Sequence, residues 1–315
     1  MAIVLVVATA ITVTLLRPGP SPRRPGTTAS AGAVDPATPT THLTVRGAPP
    51  SPQVRGLPVT RTELALVDTT RNVTGGGTIL ATQRSLPTQV WSPAGVGPWP
   101  LVVFVHGYDK GPLDYNRFCT TLASSGYVVA GPSFPQEDPA QGYPLDRTQL
   151  GAEAGDVSFV IGALEQRAGP LDLAAGRIAV VGHSDGADVA LLVAYGQGTA
   201  DSRVSAIVAD APDPMTVGVA RSTAPLLLVQ GTEDSVVPYA SSRAVFAQVE
   251  APVFYVSLVG ADHLPPIAGG TVWTPVLDED VARYLDAMVA DRGPGRSSLV
   301  TQLTDPPLAQ VRVKA

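Results

Sequence analysis

The chain has one cysteine, two lysines and few aromatic residues, and each scarcity closes off a class of protein. A single cysteine, Cys119, cannot form an intrachain disulfide, so the fold is not stapled by cystines. Lys110 and Lys314 are the only lysines among 21 basic residues; 27 acidic ones leave a formal net charge of -6. A nucleic-acid partner would require a basic face, so that class is set aside. Aromatic residues make up 5% of the 315, which leaves Val, Leu, Ile and Ala to fill the core. Hydrophobic residues reach 44% and charged ones 15%, a balance suited to a buried parallel sheet. Cys119 falls on one helical face with Tyr115, Phe118 and Leu122, and reads as a small buried hydrophobe rather than a reactive thiol.

What is present at the start is apolar. Ala2 to Leu16 is interrupted only by Thr9, Thr12 and Thr14. That run is short for a spanning helix, which needs about 20 residues, and near the about 7–15 of an export signal core. Residues 1–17 are therefore read as a signal or membrane-anchor segment of an exported protein, secreted or held facing outward. Between Arg17 and Pro58 lie ten of the 31 prolines, among Ser, Thr, Gly and Ala. Such a stretch has too little apolar surface to offset ordering entropy, so 18–58 reads as a linker, with His42 incidental in it. The folded domain is expected at 59–291, and 292–315 is set apart as a C-terminal tail.

Within 59–291 short apolar runs alternate with amphipathic ones. Glu63–Val67 and Thr88–Trp91 read as an antiparallel lead-in. Leu101–Val105 is a continuous apolar strand of the kind buried on both faces. Helix Asp114–Ser125, strand Tyr127–Ala130, helix Gly151–Arg167 and strand Arg177–Val181 follow. Strands Val204–Val208, Leu226–Val229 and Val253–Leu258, with helices Tyr239–Val249 and Leu277–Ala290, complete the series. This order predicts an α/β fold with a mostly parallel central sheet, helices on both faces and sites at the carboxyl ends of the strands. Only about sixteen residues separate Ala209 from Leu226, too few for a large lid domain.

Gly182-His183-Ser184-Asp185-Gly186 stands between strand Ile178–Val181 and the helix-forming stretch Ala187–Val193. Strand, G-x-S-x-G and helix in that order form a nucleophile elbow, a turn so sharp that only small residues fit around the serine. A serine hydroxyl needs an aligned base. Asp234, in Gly231–Pro238, and His263, in Gly260–Leu264, each follow a buried strand, so both fall on the same sheet edge as Ser184. Ser184 is the candidate nucleophile, His263 the base and Asp234 the group that orients it; Asp210 and Asp213 are the alternatives to Asp234. The backbone N–H groups of Tyr108, after His106-Gly107, and of Asp185 are the candidate oxyanion donors, such donors being worth about 3–4 kcal/mol each. His106 reads as a structural residue of its loop. The Asp185 carboxylate would harm a developing oxyanion if it pointed inward, so it is expected to turn away or to restrict substrates to uncharged acyl groups.

These segments, with Leu122–Ala130, resemble the lidless serine α/β-hydrolases, in the branch that holds cutinase-like polyester hydrolases, chlorophyllases and platelet-activating-factor acetylhydrolases. The overall pattern is also similar to dienelactone hydrolases, which carry cysteine where Ser184 stands. The resemblance covers roughly Thr88 to Ala290 and implies hydrolysis of carboxylic esters without a cofactor; the leading expectation is an exported carboxylesterase acting on neutral acyl esters of small or medium size, with no metal. In place of the aromatic clamp of polyester hydrolases this chain has Asp210-Ala211-Pro212-Asp213-Pro214-Met215, so Met215 and the Tyr108 ring are the candidate substrate-binding side chains. Acyl transfer to an envelope acceptor and a non-catalytic envelope-binding module are the competing readings; the number of subunits is left open.

Overall fold

Residues 56–216, 218, 222–292, 296–303 and 307–314 are described by the computed structural model, and all fall in one compact unit. The segments read as signal or anchor and, up to residue 55, as linker lie outside them. No helix among the described residues is long and apolar enough to cross a membrane.

β1 (Val59–Asp68) leads through a small hairpin of β2 (Val73–Gly75) and β3 (Thr78–Ala81) to its antiparallel partner β4 (Arg84–Pro93). The alternation proper then begins. β5 (Trp99–Val105), α1 (Asn116–Ser124), β6 (Val128–Pro132), α2 (Leu150–Glu165), the short α3 (Ala168–Leu171), β7 (Leu173–His183) and α4 (Asp185–Tyr195) follow in order. β8 (Ala206–Asp210), β9 (Leu226–Gly231), α5 (Tyr239–Gln248), β10 (Val253–Leu258), the short α6 (Pro265–Ala268) and α7 (Trp273–Met288) complete the alternation, to which the short α3 and α6 are additions the sequence did not predict.

The chain continues in α8 (Arg296–Gln302) and β11 (Ala309–Lys314). β11 pairs antiparallel with β10 from Val253–Lys314 to Leu258–Ala309, so the segment set apart as a tail supplies an edge of the sheet. The boundary drawn at Asp291 thus stops short of the last strand. The sheet order is β1-β4-β6-β5-β7-β8-β9-β10-β11. Strands β6 to β10 and β5 are parallel to one another, with antiparallel strands at both edges.

Buried on both faces, these strands need no polar side, and alternate residues serve opposite layers. Leu101, Val103 and Val105 of β5 pack in one core with Val157, Val160 and Leu164 of α2 and Val189, Leu191 and Val193 of α4. Val102 and Phe104 pack in the other with Phe118, Cys119 and Leu122 of α1 and Leu277, Tyr284 and Leu285 of α7. Cys119 is fully buried there, and burial pushes its thiol above its ordinary value.

The connectivity places the functional edge. From β5 the chain moves through α1 to β6 on one side, then returns over β5 through α2 to β7 and proceeds the other way. The strand order therefore reverses between β5 and β7, and a crevice opens at their carboxyl ends, where ligands bind in folds of this kind. The loop after β5 holds Tyr108, and the turn after β7 holds Ser184. The β8–β9 connection, residues 211–225, contains no helix among its described residues.

One buried ionic cluster ties the antiparallel lead-in to α2. Arg84 and Arg71 both bind Asp156, at 2.5 and 2.6 Å, and Arg71 also binds Asp68 at 2.6 Å. Arg84 and Asp156 are almost completely buried. Removing one partner of such a pair leaves an uncompensated charge in the interior. Asp156→Asn is expected to lower the unfolding free energy by about 3–5 kcal/mol in urea denaturation. A loss below about 1 kcal/mol, the size typical of an exposed pair, would contradict this account.

Candidate active site

Ser184 has φ 57° and ψ -130°, a backbone region that costs a non-glycine residue about 1–3 kcal/mol. The glycines on either side make the conformation attainable. A Cβ on Gly182 would lie 1.9 Å from the Gly186 carbonyl oxygen, and one on Gly186 would lie 2.2 Å from that of Val105. The turn is pinned from the next strand, because the Ser184 N–H donates to the Asp210 carbonyl at 2.9 Å. Its hydroxyl makes no hydrogen bond among the described residues, and α4 begins at the next residue.

His263 and Asp234 meet at the same rim. His263 Nδ1 stands 2.8 Å from Asp234 Oδ2. That carboxylate, fully buried, also accepts from Gln230 Nε2 at 2.7 Å and from the N–H groups of Val236 and Val237 at 2.9 and 2.8 Å. Four donors fill its acceptor sites and hold it still. The two loops are clipped together by Asp262, whose Oδ1 accepts from the Ser235 N–H, the Ser235 hydroxyl and the His263 N–H, each at 2.8 Å. These bonds hold the Asp262 carboxyl below its ordinary range. The His263 ring lies 4.7 Å, centroid to centroid, from that of His183, the residue before Ser184.

Of the three carboxylates weighed for the imidazole, the structure brings Asp234 to it. Asp213 instead accepts from the Ser241 hydroxyl at 3.1 Å. Asp210 is buried beside Asp234 with Oδ2 unpartnered; burial, and then the Asp234 charge, push it up to about 8.

Neither the Tyr108 N–H nor the Asp185 N–H donates to another group among the described residues. The loop carrying Tyr108 is braced by His106. The Phe134 N–H donates to His106 Nε2 at 3.3 Å, which leaves Nδ1 to donate to the Gly107 carbonyl at 3.0 Å. Burial holds this histidine below its ordinary value.

The Asp185 carboxylate turns to an arginine that the sequence reading did not single out. Arg147 grips it through both oxygens, with Nε 2.6 Å from Oδ2 and Nη2 against Oδ1. The same guanidinium lies 5.9 Å from the Tyr108 ring centroid and 4.0 Å from Asp213 Oδ2. A buried carboxylate in the first turn of the elbow helix demands a counter-charge. The sequence supports the expectation that the Asp185 carboxylate turns away, but nothing in it points to Arg147. Met215 is partly buried, its N–H and carbonyl both bonded to Gln248 at 3.1 Å. With Arg147, Leu150, Asp188, Leu192 and Asp213 it lines a cleft of about 260 Å³ along α4. The Tyr108 ring stands exposed, 40%, and contributes no part of that lining.

A doubly covered, mostly parallel sheet with an elbow serine at its switch point defines an α/β-hydrolase. The model of the chlorophyllase family matches residues 70–235, more than half of the chain, and the chain belongs to that family. The match points to an ester hydrolase of the α/β-hydrolase type; it spans the Tyr108 loop, the elbow and Asp234, and ends before His263. No curated protein matches the chain.

The acids around the elbow make stability depend on pH. Asp210, Asp188 and Glu137 are each pushed up to about 8, chiefly by burial. An aspartate protonated to about pH 8 in the fold but only to about 4 unfolded favours the folded state at low pH; that contribution is lost as pH rises between the two values. Buried neutral histidine works in the opposite sense, but only below about pH 6.5. The melting temperature of the wild type is thus expected to fall from pH 6.5 to 8.5, and that of Asp210→Asn to fall less. Parallel curves for the two proteins would contradict the placement of a protonated carboxyl at Asp210.

Proposed function

We propose that the chain is a serine carboxylesterase that hydrolyses neutral acyl esters through an acyl-enzyme. The observation that carries this reading is the Asp234–His263 pair standing at the rim where Ser184 is held in a strained turn. Strain of that size is retained where it serves a purpose, and a binding module on the same fold would have no use for it.

In this reading the Asp234 carboxylate accepts the Nδ1 proton of His263 and leaves Nε2 as the free acceptor. Nε2 takes the proton of the Ser184 hydroxyl as the oxygen attacks the ester carbonyl, and returns it to the departing alcohol. Water then attacks the acyl group with the same base, and Ser184 is regenerated. The oxyanion is stabilised by the N–H groups of Tyr108 and Asp185, the second at the positive end of α4. Arg147 matters here because it draws the Asp185 charge away from that oxyanion while leaving the N–H free. Side-chain chemistry supplies every step, so the proposal includes no cofactor. The acid-rich surroundings of Arg147 support uncharged substrates, and the cleft along α4, with Met215, supports a small or medium substituent. The apolar run at 2–16 supports action outside the cytoplasm, after export or at a membrane anchor.

A p-nitrophenyl ester panel from two to sixteen carbons, with Ser184→Ala as control, tests the proposal. Turnover is expected with at least the shorter esters, and Ser184→Ala is expected to reduce kcat by about 10⁴-fold or more. Equal rates for the variant and the wild type would refute it.

A further inference from the structure

We infer that His183 and Tyr115 are positioning residues, which set the oxyanion loop, the elbow and the base loop against one another through a single chain of hydrogen bonds. The inference rests on the esterase reading and extends it to two side chains that the mechanism above does not use.

The chain has three links. The Gly107 N–H donates to Tyr115 Oη at 3.3 Å, Tyr115 Oη meets His183 Nδ1 at 3.0 Å, and His183 Nε2 meets the His263 carbonyl oxygen at 3.2 Å. Its direction is forced by the chemistry of its ends. A carbonyl can only accept, so His183 Nε2 carries a proton. In the neutral ring Nδ1 is then an acceptor, so the Tyr115 hydroxyl donates to it. The Tyr115 oxygen is left as acceptor for the Gly107 N–H, and each polar group in the series has one matched partner.

Burial keeps that pattern single. His183 is 1% and Tyr115 3% exposed, so water offers no substitute partners. Burial, and then the proximity of His263, push the His183 imidazole down to about 3, and burial raises the Tyr115 hydroxyl above its ordinary value. The ring is neutral throughout the working range. A neutral ring can stand 4.7 Å from the imidazolium that forms on His263 in each turnover, where a permanent cation would oppose that charge.

The links join the three loops that must agree in position. Gly107 precedes the Tyr108 N–H, His183 precedes Ser184, and the last acceptor is the backbone of the base itself. The fit at the first link is close: a Cβ on Gly107 would lie 3.1 Å from Ser184 Cβ and 3.3 Å from Tyr115 Oη. Misplacement of a reacting group by about 1 Å can cost about 100-fold in rate. A chain that spans donor, nucleophile and base therefore acts on kcat more than on binding.

Three variants separate this role from simple filling of the core. Glutamine at 183 keeps one donor and one acceptor, whereas leucine keeps only bulk. His183→Gln is expected to retain kcat within about threefold, and His183→Leu and Tyr115→Phe to lose about 10- to 100-fold, all with KM within about twofold of wild type. His183→Leu performing as well as His183→Gln, or Tyr115→Phe with wild-type kcat, overturns the inference. Thermal melts accompany the kinetics; if His183→Leu does not fold, Tyr115→Phe, which lacks one oxygen atom, decides alone. Ser184→Ala is run in the same assay. Wild-type turnover by that variant would refute the esterase reading itself, an outcome distinct from the failure of the positioning role.

Discussion

The turn at Ser184 is the constraint on which the rest of the molecule depends. A non-glycine residue at φ 57°, ψ -130° is unfavourable in isolation, and it persists because its surroundings leave no alternative. β7, an eleven-residue strand, delivers it from one side, α4 carries the chain away on the other, and β8 holds its N–H. Gly182 and Gly186 allow strand, turn and helix to approach within distances that forbid any side chain. The doubly covered sheet supplies the burial that offsets this local cost.

The same turn creates an electrostatic problem that the surrounding loops solve. Starting the helix with Asp185 puts a carboxylate next to the N–H expected to face a developing negative charge. Arg147, from the long β6–α2 connection, binds that carboxylate through both oxygens and holds it away. Around this pair lie Asp188 and Glu137, which burial keeps protonated up to about pH 8. Burial thus keeps two of the acids that ring Arg147 uncharged near neutrality. On the opposite flank the Asp234 carboxylate has four donors, His263 Nδ1 among them. One strand away, Asp210 has an unpartnered Oδ2, and burial, then the Asp234 charge, pushes it up to about 8.

How much of this could be read beforehand depended on whether the cause was local. The elbow was legible because its strand, glycines and helix are contiguous, and the order of Ser184, Asp234 and His263 followed from loops at one edge of a predicted sheet. The parallel sheet was legible from continuous apolar runs. β11 was missed, although Ala309, Val311 and Val313 alternate with Gln310, Arg312 and Lys314 in the manner of a half-buried strand. An edge strand is defined by the neighbour it pairs with, and β10 lies about fifty residues earlier. Arg147 and the Tyr115–His183 contact were not legible, since ion pairs and side-chain hydrogen bonds across 38 and 68 positions leave no periodic trace.

The central claim is that three side chains from separate loops serve one reacting carbon. The most direct measurement is a crystal structure of the protein after reaction with a small fluorophosphonate, whose tetrahedral phosphorus mimics the attacked ester. The account predicts phosphorus on Ser184 Oγ, an oxygen held by the N–H groups of Tyr108 and Asp185, and His263 Nε2 at about 2.6–3.2 Å from Oγ. Attachment to another residue, or an imidazole left out of reach of the modified serine, would contradict it.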